Sequence, residues 1–495
     1  GTRLNEVELF IIRSCDSDGK RGPQLIHEDV AEIVLDLAME KASPVLAEVR
    51  IESSSRRELA VKSGQVSSLT SSKDAGMNVR IVLPTGIGFA AANRVSPSEG
   101  ADLVRRALKL AKSGKRKDRV EMSSEPAVKT SWEVRQRKPL ADLSTEDRLK
   151  FLADIDSSVM KSGVKVQGRY YELSDYETTS IFANSEGSRI KSFLPRVVMN
   201  ASLLVSSKGE TEQSLREYGA SGGWEKAEEW NLEKALTDEV KMLKRMIDHG
   251  KALKPGKYDL VCGPEVAGIA AHESCGHPME GDRILGREMS QAGKSFVQPD
   301  MLGQRIGSEY ATVIDDPTVP GSYGYYAYDA EGVRARPRYL YKNGIMNEFL
   351  HNRETASRLG LHSNGSSRSE RYVREPIVRM ANTFVASGDF EEDEIFGSVK
   401  EGVLMKSFTE WNIDDKRYNQ KYVSREAYFI KDGELAGPAR KCVLEITTPG
   451  FWGAIDATSK KVEYDSAECG KGDPIQAAPV FTGGPMLRLR GVNLK

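Results

Sequence analysis

Apolar residues recur every three or four positions in several segments of the first half of the chain, and this period predicts amphipathic helices. We predict such helices over residues 28–43, 98–112, 144–161 and 225–248. Between them, residues 45–92 and 165–219 are rich in alternating apolar and polar positions, which is typical of half-buried strands. The first half therefore predicts helices packed on an antiparallel sheet.

The second half has a different pattern. After the turn-like residues 251–256, short apolar runs are separated by Gly and Pro, and only brief helices such as residues 353–359 are expected. We therefore predict an α+β protein with two domains. Residues 1–250 form an N-terminal domain of mixed helices and antiparallel sheet. Residues 251–495 form a mostly-β C-terminal domain that carries one helix with candidate metal ligands.

Composition narrows the functional classes. The 495 residues include 71 Lys and Arg against 72 Asp and Glu, so the net charge of −1 gives no general attraction to nucleic acid. The basic run at residues 112–119 has no interleaved aromatic residues, and we interpret it as a solvated helix end. Apolar runs are too short to predict a membrane helix, and no signal peptide is recognisable, so we expect a cytoplasmic protein without membrane contacts.

Cysteine usage supports the same compartment. The chain has Cys15, Cys262, Cys275, Cys442 and Cys469, an odd and small number without a CxxC pair, which argues against a disulfide framework. Most of them are expected to be small buried hydrophobic residues. Cys469 differs because polar residues and glycines surround it, which predicts a loop and a reactive or metal-bound thiol.

The hexapeptide His272–His277 concentrates candidate chemistry. It holds two of only six histidines, with Glu273 between them. Neutral imidazole binds zinc and its first-row neighbours, and a nearby carboxylate can take a proton from a metal-activated water. A His-Glu pair on a helix is also common at a protein surface or in a satisfied core, so the hexapeptide alone leaves both interpretations open.

The spacing of the two histidines makes a geometric prediction. Positions i and i+5 of an α-helix lie about 140° apart, so two imidazoles at this spacing cannot reach one metal from a regular helix. Gly263-Pro264-Glu265 predicts the helix start. We expect a widened or broken turn between Ser274 and His277, with Gly276 providing backbone freedom and Pro278 limiting the helix.

Several patterns occur in a fixed order along nearly the whole chain. They are His272-Glu273-x-x-x-His277-Pro278-x-Glu280-Gly281-Asp282, Val313-Ile314-Asp315-Asp316-Pro317, Asp329-x-Glu331-Gly332, Arg379-Met380-x-Asn382-Thr383, Ser424-x-Glu426-Ala427-Tyr428 and Cys469-Gly470-Lys471-Gly472. With them, the chain resembles the TldD subfamily of the TldD/PmbA metallopeptidases. The resemblance implies a metal held by His272, His277 and Cys469, with Glu273 as catalytic base. The metal would be Zn²⁺ or another first-row divalent ion.

The resemblance also implies an activity and a partner. We expect a peptidase that hydrolyses unfolded or short peptides, bound as an added strand, and a homodimer or a heterodimer with an inactive TldE/PmbA-type paralogue. One alternative is a non-catalytic peptide-binding subunit whose structural metal takes Cys275 as a fourth ligand. A zinc deaminase is a weaker alternative, because the sequence lacks the Pro-Cys-x-x-Cys pattern of that class.

Overall fold

The computed structural model describes residues 28–114, 116–288 and 293–495, so Cys15 lies outside the described residues. The first sheet contains seven strands. They are β1 Leu46–Lys62, β2 Gln65–Leu83, β3 Gly86–Ala92, β4 Lys129–Glu133, β5 Val166–Asn184, β6 Arg189–Ser207 and β7 Glu210–Ser221. The order β3-β2-β1-β5-β6 is antiparallel, and β6 then pairs with β7 antiparallel and with β4 parallel. The predicted antiparallel sheet is confirmed.

Five helices accompany this sheet. They are α1 Glu28–Ala42, α2 Pro97–Ser113, α3 Thr145–Met160, α4 Glu225–Glu229 and α5 Leu232–His249. Local capping explains two of the starts: Ser96 caps α2, and Ser144 forms a capping box with Asp147 at α3. Two separate cores result, because α1 and α2 cover one part of the sheet while α3 and α5 cover another.

The prediction of one continuous helix over residues 225–248 was wrong. The chain breaks between α4 and α5 at Asn231, whose φ of 47° lies in the left-handed region. Asparagine tolerates this conformation better than most residues, so it can end one helix and begin another. The apolar period continues across the break, which is why the pattern did not reveal it.

A ring of strands forms one part of the C-terminal half. Its sheet contains β8 Lys251–Ala252, β9 Gly256–Cys262, β16 Glu401–Ile413, β17 Asn419–Lys431, β18 Glu434–Arg440, β19 Val443–Thr447, β20 Ile455–Thr458 and β23 Leu487–Leu494. The pairings β16-β9-β23-β19-β17 close because β17 also pairs with β16. Closure removes free edges from these five strands, apart from their ends.

A second C-terminal sheet lies beside the ring. Its strands follow the order β12 Ile345–Met346, β11 Arg338–Lys342, β10 Val313–Asp315, β15 Asn382–Val385, β22 Gln476–Gly484 and β21 Glu463–Lys471. A short ribbon, β13 Ser367–Arg368 and β14 Ile377–Val378, stands apart. The helices of this half are α6 Pro264–Ala271, α7 Gly281–Ile284, α8 Arg353–Arg358, α9 Glu392–Gly397 and α10 Thr448–Ala454. The mixed α+β class is confirmed.

Helix α6 is the element that places the candidate site. It contacts β16 of the ring and β15, β21 and β22 of the second sheet, so it is buried between the two. All of its residues from Val266 to Ala271 are buried. Among the described residues, no helix combines the length and the apolar composition that crossing a membrane requires.

Candidate metal centre

The start of α6 follows the sequence signal. Gly263 is the N-cap residue, Pro264 occupies the first turn, and the acidic Glu265 lies there as well. The helix then approaches strand β22 closely: a Cβ at Gly268 would lie 2.5 Å from the backbone nitrogen of Gly483. A residue with a side chain at this position would push α6 away from the sheet that carries the last candidate ligand.

The predicted widened turn is confirmed. Residues His272–Gly276 form a π-helical turn, and the backbone N–H of His277 donates to the carbonyl oxygen of His272, five residues earlier. The two imidazole rings consequently lie on the same side, with centroids 4.8 Å apart and planes at 83°. A 3₁₀ turn, His277–Met279, follows directly. Both rings are buried, with 4% and 3% of their residues' surface exposed.

The prediction that Gly276 serves the widened turn through its backbone freedom was wrong. Its φ of −55° and ψ of −61° are ordinary helical values that any residue adopts. What excludes a side chain is space, because a Cβ on Gly276 would lie 1.9 Å from the sulfur of Met380. His277 is also helical, with φ −60° and ψ −45°, so Pro278 does not force it into an extended conformation.

Cys469 completes the cluster from a distant part of the chain. It lies on strand β21, so the predicted loop position was wrong, and the residue is 7% exposed. Its sulfur lies 3.5 Å from Nε2 of His277. One donor atom each from His272, His277 and Cys469 falls within 4.8 Å of the others. The structure brings these three together, and their role as ligands stays a prediction.

The electrostatics of the cluster favour a thiolate. Burial alone would raise the pKa of Cys469, but the charges of His277, Arg379 and His272 outweigh it and hold the pKa well below its usual range. Arg379 also donates a hydrogen bond to the Cys469 carbonyl oxygen. Nδ1 of His272 is buried and has no hydrogen-bond partner among the described residues. Two imidazoles and an activated thiol are a suitable donor set for zinc.

A buried carboxylate orients His277. Glu280 is fully buried, and its Oε2 lies 2.9 Å from Nδ1 of His277, which leaves Nε2 facing Cys469. The same oxygen accepts from Nε of Arg283 at 2.6 Å and lies 3.2 Å from Nζ of Lys471. Burial would raise the pKa of Glu280, but Lys471, His277 and Arg283 hold it well below its usual range. Such a carboxylate–histidine pair is the usual support of a metal-binding imidazole.

Cys275 does not join the cluster. It is fully buried, and burial raises its pKa well above the ordinary value while its thiol interacts with Tyr341. Cys262 and Cys442 are likewise buried, with raised pKa values, and none of these three is disulfide-bonded. A thiol held in its neutral form is a poor metal ligand.

The cluster opens on a cavity of about 880 Å³. Its walls come from the two halves of the chain, including Arg216 and Glu217 of β7 and residues 465–470 of β21. Glu273 also lines it and is paired with Arg417, which reaches in from the turn between β16 and β17. The carbonyl oxygen of Arg417 accepts from the Thr448 hydroxyl at 2.8 Å.

Sequence reasoning did not assign roles to Glu280, Lys471 or Arg417. The first two stand inside the patterns around His277 and Cys469, so a search for charged neighbours of the ligands could have found them. Arg417 gave no local signal, because 144 positions separate it from Glu273.

Comparison with known proteins identifies a family. Three family models match: PmbA/TldA metallopeptidase domain 1 at residues 47–111, the central domain at 138–245 and the C-terminal domain at 255–495. A metalloprotease of Methanocaldococcus jannaschii is 31% identical over 89% of this chain and 95% of that protein. A metalloprotease TldD homolog of Buchnera aphidicola is 26% identical over 85% of this chain and 86% of its own length.

A solved structure shares the fold. TldE from Thermococcus kodakarensis superposes with a TM-score of 0.72 at 18% identity, over 94% of this chain and 99% of that one. The three family models and the relative from Methanocaldococcus jannaschii assign the chain to a family. It belongs to the PmbA/TldD family of metallopeptidases.

Proposed function

We propose that this chain is a metal-dependent peptidase that hydrolyses short or unfolded peptides. The observation that carries the proposal is the convergence of His272, His277 and Cys469 within 4.8 Å, at a cavity that Glu273 also lines. Relatives named metalloproteases support the same class of activity.

The donor set fits Zn²⁺ or another first-row divalent ion. His272, His277 and Cys469 would hold it, and three protein ligands are the number found in catalytic zinc sites. When bound, the metal supplies Lewis acidity that polarises the substrate carbonyl group and activates water. Glu280 keeps the His277 ring oriented and its Nε2 free toward the cluster. The thiolate donates more negative charge than a carboxylate ligand, so the intrinsic activity should be modest.

Glu273 transfers protons, and Arg417 stabilises the negative charge that develops on the substrate. Glu273 takes the proton of the attacking water and later passes it to the leaving amine. Arg417 contacts this carboxylate, and no group in the described part of the chain bonds its buried Nε. A guanidinium has several N–H donors, so Arg417 can bond Glu273 and still donate to the substrate oxygen on which negative charge develops.

Strand β21 offers a way to bind peptides without reading their sequence. It pairs with β22 along its whole length, from Glu463 to Lys471. Within the described chain no second strand pairs with it, but Arg379 already donates to the Cys469 carbonyl oxygen and the Ser466 hydroxyl bonds the backbone of Gly219 on β7, so only part of its other edge is open. An extended peptide could add there as a further strand, which favours flexible substrates over folded ones.

We also propose that the chain works as a dimer in the cytoplasm, with a second copy or a TldE-type paralogue as partner. The outer part of β2 extends beyond β3 and exposes Val66 at 53% and Leu69 at 58%. Exposed apolar residues on a strand edge favour a protein contact. The match to TldE supports a related partner, and the free thiols among the described cysteines suit a reducing compartment.

Two variants test the assignment of roles. Glu273→Gln should keep the bound zinc and lose about 10²- to 10⁴-fold in peptide hydrolysis, as expected for one general base. Arg417→Gln should lower kcat and the affinity for a phosphinic peptide, which mimics the charged transition state, with little change in KM. Full hydrolysis by metal-loaded Glu273→Gln would contradict the proposal, and an unaltered phosphinic-peptide affinity would remove Arg417 from it.

A further inference from the structure

A second cavity, of about 580 Å³, lies between the N-terminal sheet and the C-terminal half. Strands β1, β5 and β6 form one wall, and residues 326–330, 367–371 and 477–479 form the other. None of the three candidate ligands lines it. The two cavities share one residue, Glu468, next to Cys469 on β21.

Among the described residues, three arginines of this cavity donate their hydrogen bonds to backbone carbonyl groups. Arg50 donates to the Ala330 carbonyl oxygen at 2.7 Å. Arg196 donates to the Tyr323 carbonyl oxygen at 3.0 Å, and Arg368 to those of Met380 at 2.6 Å and Pro479 at 2.8 Å. These acceptors are neutral backbone groups, and no carboxylate of the described residues forms an ion pair with any of the three arginines. Arg368 is buried and the other two are half-buried, and a buried charge is normally paired, so this arrangement is unusual.

The carboxylates near the cavity have other partners. Asp74 pairs with Arg371 at 3.2 Å, and Glu468 accepts from the Tyr323 hydroxyl at 3.2 Å. Asp329 accepts from three backbone N–H groups, and Glu370 accepts from that of Ala477. Glu52 lies near Arg50, whose charge lowers the pKa of Glu52, but burial outweighs this effect and raises that pKa to about 7.

Burial also affects the arginines themselves. It lowers the pKa of Arg50 and of Arg196, and it lowers that of Arg368 to about 10, an effect to which the charge of Arg196 contributes. Each of these guanidinium groups would be stabilised by an anion. The cavity lining contains five arginines and five carboxylates, and three of these arginines form no ion pair with the described residues, so these three can still receive an anion.

Aromatic rings accompany the charges. The Arg50 guanidinium lies 5.4 Å from the ring centre of Phe182, and that of Arg368 lies 5.4 Å from the ring centre of Tyr326. Trp132 and Tyr176 line the same cavity. Stacking leaves the in-plane N–H groups of a guanidinium able to contact a carboxylate, although both terminal nitrogens of Arg368 already donate to carbonyl oxygens. The rings offer apolar surface beside these groups.

We propose that this cavity is a second binding site, which takes a carboxylate attached to an aromatic or aliphatic group. The carboxylate contacts Arg50, Arg196 and Arg368, and the apolar part packs on the surrounding rings. A free small acid and the C-terminus of a peptide both supply this chemistry. The volume suits either source, because sites for small molecules span about 300–1,000 Å³. The proposal does not depend on peptidase activity.

Calorimetry with the zinc-loaded Glu273→Gln protein tests the site. The probes are 3-phenylpropionate with 3-phenylpropanol as its neutral match, and a hexapeptide ending in phenylalanine as the free acid or the amide. We expect tighter binding of the acid in at least one pair. Arg50→Gln and Arg196→Gln should each weaken that binding about 10- to 100-fold, the loss expected for one hydrogen bond to a charged group. Tighter binding of 3-phenylpropionate than of 3-phenylpropanol identifies a free small acid as the ligand. Tighter binding of the peptide acid than of its amide, without a preference between the two small probes, identifies a peptide C-terminus.

Arg105→Gln is the matched control, because this substitution removes the same charge from an exposed arginine on α2, which does not line the cavity. A carboxylate can also bind the metal, so crystals soaked with 3-(4-bromophenyl)propionate locate the probe by its anomalous signal without any variant. Bromine in the second cavity supports the proposal. Bromine only at the His272 cluster, or equal binding of acid and neutral probes, would overturn it.

Discussion

Replacing Glu280 by glutamine is the sharpest test of how the site is held together. Glu280 is fully buried, and one of its oxygens lies 2.9 Å from Nδ1 of His277, 2.6 Å from Nε of Arg283 and 3.2 Å from Nζ of Lys471. Glutamine keeps the shape and one acceptor oxygen but removes the charge. The change therefore acts on the orientation of His277 without deleting a predicted ligand.

The expected magnitude follows from these contacts. Loss of the partner of a metal-binding histidine typically weakens metal affinity by about 10- to 100-fold. Stability should fall as well, because Arg283 loses a charged acceptor in the interior, whereas Lys471 keeps Asp282 at 2.7 Å and 2.8 Å. Breaking a buried ion pair costs about 3–5 kcal/mol, and the remaining acceptor and Asp282 should keep the loss near the lower end.

The assay is zinc competition against a chromophoric chelator, with urea unfolding of the same samples. Glu331→Gln is the matched control, because Glu331 is also buried and pairs with Arg80 at 2.6 Å, away from the cluster. Both variants should lose stability, and only Glu280→Gln should lose zinc affinity. Equal zinc affinity of Glu280→Gln and Glu331→Gln would refute the supporting role of Glu280.

Three further outcomes are expected. Cys469→Ala should release zinc in a metal analysis, whereas Cys442→Ala should retain it and lose about 1–2 kcal/mol of stability; zinc retained in Cys469→Ala would reverse the assignment. Gly276→Val should weaken zinc binding and lower stability by about 1–3 kcal/mol, because the new side chain collides with a neighbouring sulfur; wild-type zinc affinity would contradict this. Burial lowers the pKa of His351 to about 4, so the unfolded chain binds more protons below pH 6.5, and stability should fall by up to roughly 3 kcal/mol as the pH drops from 6.5 to 4. Urea unfolding across this range should show a smaller loss in His351→Gln, and an equal loss would contradict the reasoning.

Local sequence signals predicted the elements around the site well. Pro264 marked the start of α6, and the five-residue spacing of His272 and His277 required a widened turn, since a regular helix would have separated the rings. Alternation and turn residues also revealed the strands of the first sheet within residues 45–92 and 165–219, but not the short strand β4. These features depend on neighbours within a few positions, which a single sequence contains.

Features that depend on residues distant in the sequence were not predicted. The glycine-rich surroundings of Cys469 suggested a loop, but pairing with β22 makes this segment a strand. The sequence suggested that Gly276 is needed for its backbone freedom. In the structure a side chain is excluded there by Met380, which lies more than a hundred positions away in the sequence. The Glu273–Arg417 pair and the closed ring of strands likewise arise from tertiary contacts that no local pattern records.

X-ray absorption spectroscopy of the zinc-loaded protein tests the central claim most directly. The account predicts one sulfur neighbour at roughly 2.3 Å, from Cys469, and nitrogen or oxygen neighbours at about 2.0–2.1 Å, including two imidazoles and a position open to solvent or substrate. Cys469→Ala should abolish the sulfur contribution. Two sulfur neighbours, as in a closed structural site that includes Cys275, or none at all, would contradict the proposed catalytic centre.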